Sequence, residues 1–380
     1  MKKKKILILV NYLSFFLSHR LPIAEALLAK GFEVFIGYGE LRGADPKFLK
    51  QKGFNVSFVP MQPGSLNLLK DLKTFYCMWS FFTKVKPDIV HLITIKPYLY
   101  GGIISRLTGV PSLISAVSGL GTLFVNKDLK SKFLRLLLYP IYKIAFNHLN
   151  QKVIVQNKDD LKVLVNWGVL NISRIKLLKG SGVKIENFTN LDELGGIPTV
   201  CFAARLLRDK GVYEYVAAVR LLKERGIKAR FLLAGDLDTN NPTGLNLNEL
   251  NKLKDEGYVE ITGYHKDIPA LYAKSHIICL PSYREGFPKS LIEAAAASRT
   301  VVTTDVPGCR DAIIPNKTGL LVPIKNSQKL ADALQWLIEN PKKRIAMGKA
   351  GRKLAEKEFP IEKIVLDHLD IYQDLINNNS

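Results

Sequence analysis

The sequence predicts an α/β protein of two Rossmann-like domains, each a parallel sheet with helices on both faces. Three observations carry that reading. Short β-rich runs alternate with helical patterns; the series stops and restarts half-way; and 380 residues with 47% apolar content can bury more than one large core. In the first half the strand-like runs are "ILILV", "EVFIGYG", "VSFVP", "DIVHLI", "SLISAVS" and "KVIVQN". In the second they are "TVCFAA", "ARFLLAG", "VEITG", "HIICLP", "TVVTTD" and "GLLVP", with "VYEYVAAVRLLKERG" and "SQKLADALQWLIEN" among the helices between them. Parallel neighbours need crossover connections, so alternation at this spacing implies doubly wound sheets. The join is expected within residues 179–196, which are rich in Gly, Asn and acidic residues. The expected domains are residues 1–178 and 179–358. A last helix, 359–380, is expected to cross back onto the N-terminal domain.

Composition narrows the setting. The four cysteines, Cys77, Cys201, Cys279 and Cys309, form no C-x-x-C pair, and three fall in or near apolar runs or turns, which points to a reducing, cytoplasmic environment. "MKKKK" opens like a signal peptide, but the apolar run after it is only "ILILV" and no small-residue cleavage site follows; we read a basic leader to a first strand. No apolar stretch reaches the length of a membrane span. The net charge of +21 is unevenly placed: residues 1–190 hold 28 Lys+Arg against 10 Asp+Glu, residues 191–380 hold 27 against 24. Charge needed only for solubility has no reason to segregate, so the N-terminal half is expected to face something anionic, a nucleic acid or an acidic membrane leaflet.

In doubly wound sheets ligands collect outside the carboxyl ends of the strands, so two facing domains would bind theirs in the cleft between them. Two motifs stand there. In "SYREGFPKSLIEAAAA" Glu285 lies in the loop above a short strand and Glu293 about one turn inside a helix with Pro288 in its first turn. The first amides of that helix, near Lys289, Ser290 and Leu291, make an anion site. Carboxylates beside a phosphate would repel it, so their role is to accept hydrogen bonds from neutral hydroxyls on either side of it. That outlines a sugar–phosphate–ribose ligand; an exposed loop Glu plus an ordinary helix Glu is the plain alternative. In "CFAARLLRDKGVYEY", Arg205 and Lys210 occupy a strand–helix loop, where a guanidinium and an ammonium suit a diphosphate, although a solvated basic loop reads the same way. Asp236 and Asp238 have D-x-D spacing, which some enzymes use for a divalent ion; a structural or solvated role is the alternative we favour.

Taken in order, "AARLLRDKGVYEYV", "ARFLLAGD", "VEITGYHKDI", "PSYREGFPKSLIEAAAA" and "TTDVPGCRDAI" through "TGLLVP" resemble the second domain of retaining glycosyltransferases of family four, with the GT-B fold. Within that family, "PDIVHLITIKPYLYG", "SGLGTLF" and "VIVQNKDDLKVLVNWG" look closest to bacterial enzymes that extend undecaprenyl-diphosphate-linked sugars for glycans, capsule or O-antigen. The resemblance implies a nucleotide-sugar donor, with Arg205 and Lys210 at its diphosphate and Glu293 at the ribose hydroxyls. It also implies Glu285 at the transferred sugar, backbone amides from Phe287 to Leu291 at the sugar and phosphates, and Tyr264 and Ile268 beside the base. Transfer with retention, without cofactor or metal, to a lipid-linked sugar acceptor is what it implies for chemistry.

The first half departs from the family pattern. "NYLSFFLSHR" has no glycine where many members carry a Gly-Gly loop, and Ser118 in "AVSGLG" stands where many carry a histidine. His91 is the candidate to face the cleft in its place, although a histidine satisfied by backbone groups is the alternative; Arg20 and Lys96 are candidates to meet an acceptor diphosphate. Residues 126–146 mix Lys127, Lys130, Lys132 and Arg135 with a broad apolar face, which fits interfacial binding to an anionic membrane; residues 68–82 are a second such stretch. Some of each apolar face must also cover the sheet. The expected place is the inner face of the plasma membrane. Two rival classes remain at this stage. A nucleic-acid-binding protein would need a reading module that the sequence does not display. A GT-B epimerase or hydrolase of nucleotide sugars would turn over donor without a lipid acceptor.

Overall fold

A computed structural model describes residues 3–61, 67–120, 124, 129–189, 192–239 and 241–378. The chain forms two compact units, Met1–Leu178 together with Glu362–Ser380, and Lys179–Ile361.

In the first unit the runs rich in Ile, Val and Leu become strands β1 (Lys5–Tyr12), β2 (Glu33–Glu40), β3 (Asn55–Phe58), β4 (Ile89–Ile93), β5 (Ser112–Val117) and β6 (Gln151–Val155), with β7 (Ile175–Leu177) added at one edge. Their order is β3-β2-β1-β4-β5-β6-β7, and every pairing is parallel. Between them lie α1 (Leu13–His19), α2 (Leu21–Ala29), α3 (Pro46–Gln51), α4 (Leu68–Val85), α5 (Gly102–Leu107), α6 (Leu129–Ala145) and α7 (Lys158–Asn166). Strand residues alternate between two cores, as the period of two requires. Leu7, Leu9, Val90 and Leu92 point to the side covered by α4 to α7. Ile6, Ile8, Ile89 and Ile93 point to the side covered by α1, α2, α3 and the last helix of the chain, which delivers Ile371, Tyr372 and Leu375.

The second unit repeats the scheme with β8 (Thr199–Ala203), β9 (Arg230–Ala234), β10 (Glu260–Gly263), β11 (Ile277–Leu280), β12 (Thr300–Thr304) and β13 (Gly319–Val322), in the order β10-β9-β8-β11-β12-β13. Its helices are α8 (Val212–Glu224), α9 (Leu247–Glu256), α10 (Ile268–Ala273), α11 (Lys289–Ala296), α12 (Ser327–Glu339) and α13 (Pro341–Glu358); the last helix, α14, runs Ile361–Asn377. Valines and phenylalanines of β8 and β9 face α8 and α12, while Cys201, Ala203 and Ile278 face α10 and α11. In each sheet the strand order reverses beside the unit's first strand, at β1/β4 and at β8/β11, which is where doubly wound sheets take their ligands. Cys201, Cys279 and Cys309 are buried free thiols, with burial pushing Cys201 and Cys309 up to about 12. Among the described residues no helix is long and apolar enough to cross a membrane.

Candidate active site

The β8/β11 switch point of the second unit carries the motif residues. Past the end of β8 the chain makes a short 3-10 turn, Arg208–Lys210, and then enters α8 through Gly211. Gly211 has φ +78, and a Cβ there would stand 2.2 Å from the carbonyl oxygen of Pro281. Only glycine lets the Lys210 loop close so tightly on the loop after β11. That contact is then hydrogen-bonded: Tyr283 donates its amide to the Asp209 carbonyl at 2.8 Å, and Ser282 Oγ lies 2.7 Å from Glu285 Oε1 and 3.0 Å from the same Asp209 carbonyl. Lys210 Nζ pairs with Glu285 Oε1, both side chains being mostly buried. From the other side Gly308, φ +78, lies against the backbone of Glu285 and Gly286, where a Cβ would come within 2.5 Å of the Gly286 carbonyl oxygen. Glu285 is thus fixed by its own loop and by two segments distant in sequence, at Lys210 and Gly308. Its Oε2 has no protein partner among the described residues.

Arg205 sits at the opposite end of the same loop and gives Nη1 to Asp238 Oδ2 at 2.7 Å; its side chain is 48% exposed, that of Asp238 7%. Asp236 contributes its backbone carbonyl, which accepts the Leu206 amide at 3.0 Å. The D-x-D pair therefore serves the Arg205 loop. No group of three or more His, Cys, Asp or Glu side chains placed to hold a metal occurs among the described residues.

Helix α11 begins after Pro288, and no side chain caps that end. The Leu291 amide bonds the Pro288 carbonyl at 3.2 Å, and Pro288 itself has no amide hydrogen, so the turn's anion-facing amides expected from the sequence reduce to those of Phe287, Lys289 and Ser290. The Phe287 ring is buried against Phe359, 5.6 Å between centroids, and anchors this turn. Glu293, four residues into the helix, lies 3.5 Å from Lys289 Nζ; burial raises its carboxyl above the usual range, with Lys289 opposing. Tyr264 is exposed in the loop before α10, and Ile268 is the first residue of α10, whose N-cap is Asp267. A hollow of about 640 Å³ near this loop is lined by Asn187, Phe188, Lys266, Asp267 and Ala297; it touches the C-terminal end of α11 and none of the four charged motif residues. Lys266 and Asp267 are the charged side chains of its lining.

The first unit corrects two expectations. His91 is wholly buried on β4, its Nδ1 2.8 Å from Tyr372 Oη of α14 and its ring 6.0 Å from that of His368. Arg20, at the junction of α1 and α2, is also buried, with Nη1 donating to the His19 carbonyl at 3.0 Å. Sealed side chains cannot touch a substrate, so neither stays in the site. Burial holds the His91 imidazole well below its ordinary range and His368 at about 3, and lowers Arg20 to about 10. Lys96 is tied to Asp71 of α4 at 2.5 Å. Ser118, one residue past β5, is half-buried, and its Oγ has no hydrogen-bond partner among the described residues. The missing glycine loop after β1 is accounted for by Tyr12 passing directly into α1, with the Arg42 guanidinium 3.6 Å over its ring. On α6 Lys132 is exposed and Arg135 half-buried; Lys127 and the Lys130 side chain lie outside the described residues.

Residues 5–157 match the family model described as glycosyl transferase 4-like, and residues 183–354 match that of glycosyl transferases group 1. Among curated relatives, the N,N'-diacetylbacillosaminyl-diphospho-undecaprenol alpha-1,3-N-acetylgalactosaminyltransferase of Campylobacter jejuni is 28% identical over 96% of this chain and 99% of its own. The capsular polysaccharide biosynthesis glycosyltransferase CapM of Staphylococcus aureus is 27% identical over 97% of each. Among solved structures, a glycosyltransferase from Rickettsia africae superposes over 100% of both chains with TM-score 0.76 at 20% identity. Anabaena HepE in complex with UDP and glucose does so over 97% of this chain and 99% of its own, with TM-score 0.74 at 19% identity. With one family model on each unit and relatives aligned over nearly its whole length, the chain belongs to the family-four glycosyltransferases of GT-B fold.

Proposed function

We propose that the protein moves a hexosyl or N-acetylhexosaminyl group from a UDP-sugar to a lipid-linked glycan acceptor in the assembly of a bacterial surface polysaccharide, with retention at the anomeric carbon and without a metal ion. The observation that carries this reading is the constellation in the second unit: two cations on one loop, a carboxylate with one open oxygen, and an N-terminal helix turn with no side-chain cap. Departure of the nucleoside diphosphate leaves an oxocarbenium-like sugar and builds negative charge on the leaving oxygens. Lys210 has three donors, so pairing with Glu285 leaves two for phosphate oxygens, and Arg205 keeps the rest of its fork. Glu285 Oε2 would accept from hydroxyls of the transferred sugar, and Glu293 from those of the ribose. The Campylobacter relative's name supports an undecaprenol-diphosphate acceptor, and the Escherichia coli relative's a UDP-sugar donor.

The first unit supports a lipid-side role at the inner face of the membrane. Helices α4 and α6 both pack on the segment from Pro97 to Leu107. They leave Leu68, Leu69, Leu72 and Tyr76, and Leu129, Phe133, Leu136 and Leu137, between 59% and 82% exposed. Lys70, Lys73 and Lys132 stand exposed among them. Large apolar side chains beside lysines are what an anionic bilayer interface accepts.

The test is nucleotide release from UDP-sugars, with and without an undecaprenyl-diphosphate-sugar and with and without EDTA. Release that requires the lipid acceptor and survives EDTA is expected. Release without acceptor would make the protein a hydrolase or epimerase, and loss on chelation restored by manganese would overturn the metal-free reading.

A further inference from the structure

We propose that Asp238 is a positioning residue for glycosyl transfer, acting through Arg205 by holding its guanidinium at the leaving diphosphate. The inference rests on the donor reading above. The loop carrying Arg205 has a brace along one side, residues 236–239 and 241–245. The Leu206 amide bonds the Asp236 carbonyl at 3.0 Å, the Leu245 amide bonds the Leu206 carbonyl at 3.0 Å, and the Arg208 amide bonds the Thr243 carbonyl at 2.7 Å. Two β-bridges, Leu206 with Leu237 and Leu207 with Gly244, complete the strap. A tight turn shapes the brace: the Asn241 amide donates to the Asp238 carbonyl at 2.9 Å, and the Thr243 amide to Asn241 Oδ1 at 3.0 Å. The Asp238 carboxylate is buried, at 7% exposure, and meets Nη1 of Arg205 at 2.7 Å.

Three physical points turn that contact into a role. A buried carboxylate needs compensation, and Arg205 is the cation that supplies it here, so the pair stays closed when no ligand is bound. An arginine on a loop otherwise samples many rotamers, and one bond to a rigid carboxylate removes most of them before donor arrives. With Nη1 taken, the remaining N–H groups of a side chain that is 48% exposed are those left for phosphate oxygens. Asp238 thus gives up some positive potential at the diphosphate in exchange for placement. Placement matters more where charge develops in the transition state, because a preorganised donor need not reorganise as the bond breaks.

The role predicts a signature that damage to the fold does not. Asp238→Ala should lower kcat/KM for the UDP-sugar about 10- to 100-fold, mostly in kcat, with the thermal midpoint little changed; Asp238→Asn, which keeps an acceptor of the same shape, should recover most of it. In an Arg205→Gln background, Asp238→Ala should add nothing, since the residue it positions has gone. The experiment is this double-mutant cycle, run with UDP-sugar turnover, UDP affinity by calorimetry and thermal melting. Should Asp238→Ala fail to fold, the same cycle is read with Asp238→Asn, whose loss must also vanish in the Arg205→Gln background. Full activity in the Asp238 variants while Arg205→Gln is crippled overturns the positioning role and leaves the donor reading standing. Additive losses with a lowered melting point overturn it in favour of loop stability. An Arg205→Gln enzyme as active as wild type overturns both.

Discussion

Acidification should unfold the first unit through two histidines that take no part in the chemistry. His91 on β4 and His368 on α14 are buried as neutral imidazoles against Tyr372 of the same helix and Arg20 at the junction of α1 and α2. No carboxylate pairs with Arg20 among the described residues, so a protonated imidazole would meet one cation and no counter-charge. In the unfolded chain both histidines titrate near 6.5, while in the folded unit His368 is held at about 3 and His91 well below its ordinary range. Below 6.5 the unfolded chain therefore binds protons that the folded one refuses. Stability is complete above about 6.5 and falls with pH, by about 1.4 kcal/mol per pH unit for each histidine. At pH 5 that is about 2 kcal/mol for His368, with His91 adding in the same direction, a sizeable fraction of an ordinary domain's 5–15 kcal/mol. Of the three tryptophans, Trp79 and Trp167 pack on the first unit's core and Trp336 lies on α12, so a Trp336→Phe protein reports fluorescence from the first unit alone. Urea melts between pH 7.5 and 5 should give a steep loss, and His368→Leu should remove the His368 share of it, about 2 kcal/mol at pH 5. Buried His148 is lowered as well and adds a background slope of the same sign that His368→Leu leaves in place. A flat profile, or a slope indifferent to His368→Leu, would refute the reasoning.

Three further outcomes follow from the site and its surroundings. Glu293→Ala should weaken UDP binding about 10- to 150-fold, the loss of a charge-assisted hydrogen bond of about 1.5–3 kcal/mol; calorimetry that finds unchanged affinity removes the ribose role. Gly211→Ala sets a Cβ 2.2 Å from Pro281 O at φ +78, and should cost both stability and turnover, whereas Gly226→Ala, at φ +74 with open space around it, should cost only about 1 kcal/mol of backbone strain with turnover intact. Replacing Leu69, Leu72, Phe133 and Leu136 by glutamine should reduce sedimentation with anionic vesicles while leaving UDP affinity unchanged; equal sedimentation of both proteins would end the membrane reading.

How much of this could be read from the chain depended on range in sequence. The strands were legible because runs such as "ILILV" and "TVVTTD" are dense in β-branched residues and bounded by turn formers. β7 was not, since "IKL" is three partly exposed edge residues with no pattern to detect. Arg205, Lys210, Glu285 and Glu293 stood out by lying just after strands, but nothing local said that Lys210 would reach Glu285, 75 positions away. Asp238 stood out by its spacing to Asp236, where a structural or solvated role was favoured over a metal, but nothing local pointed to its partner, Arg205, 33 residues upstream. Ser282, which touches both the Asp209 carbonyl and Glu285, carried no signal beyond its place in the loop. His91 misled because its decisive neighbour, Tyr372, is 281 residues away, and only the closed fold reveals that the strand position is core.

The return of α14 to the first unit sets an order on synthesis. As the chain leaves the ribosome, residues up to Leu178 emerge early, yet one face of their sheet lacks Ile371, Tyr372 and Leu375, and His91 lacks its partner. The second unit, contiguous from Lys179 to Ile361, emerges complete while the first still waits. The later-made unit can therefore finish folding first, against the usual N-terminal-first sequence. A chain stopped just after Ile361 would consist of a contiguous second unit joined to a first unit with an open apolar face, and that face is where aggregation and proteolysis should begin.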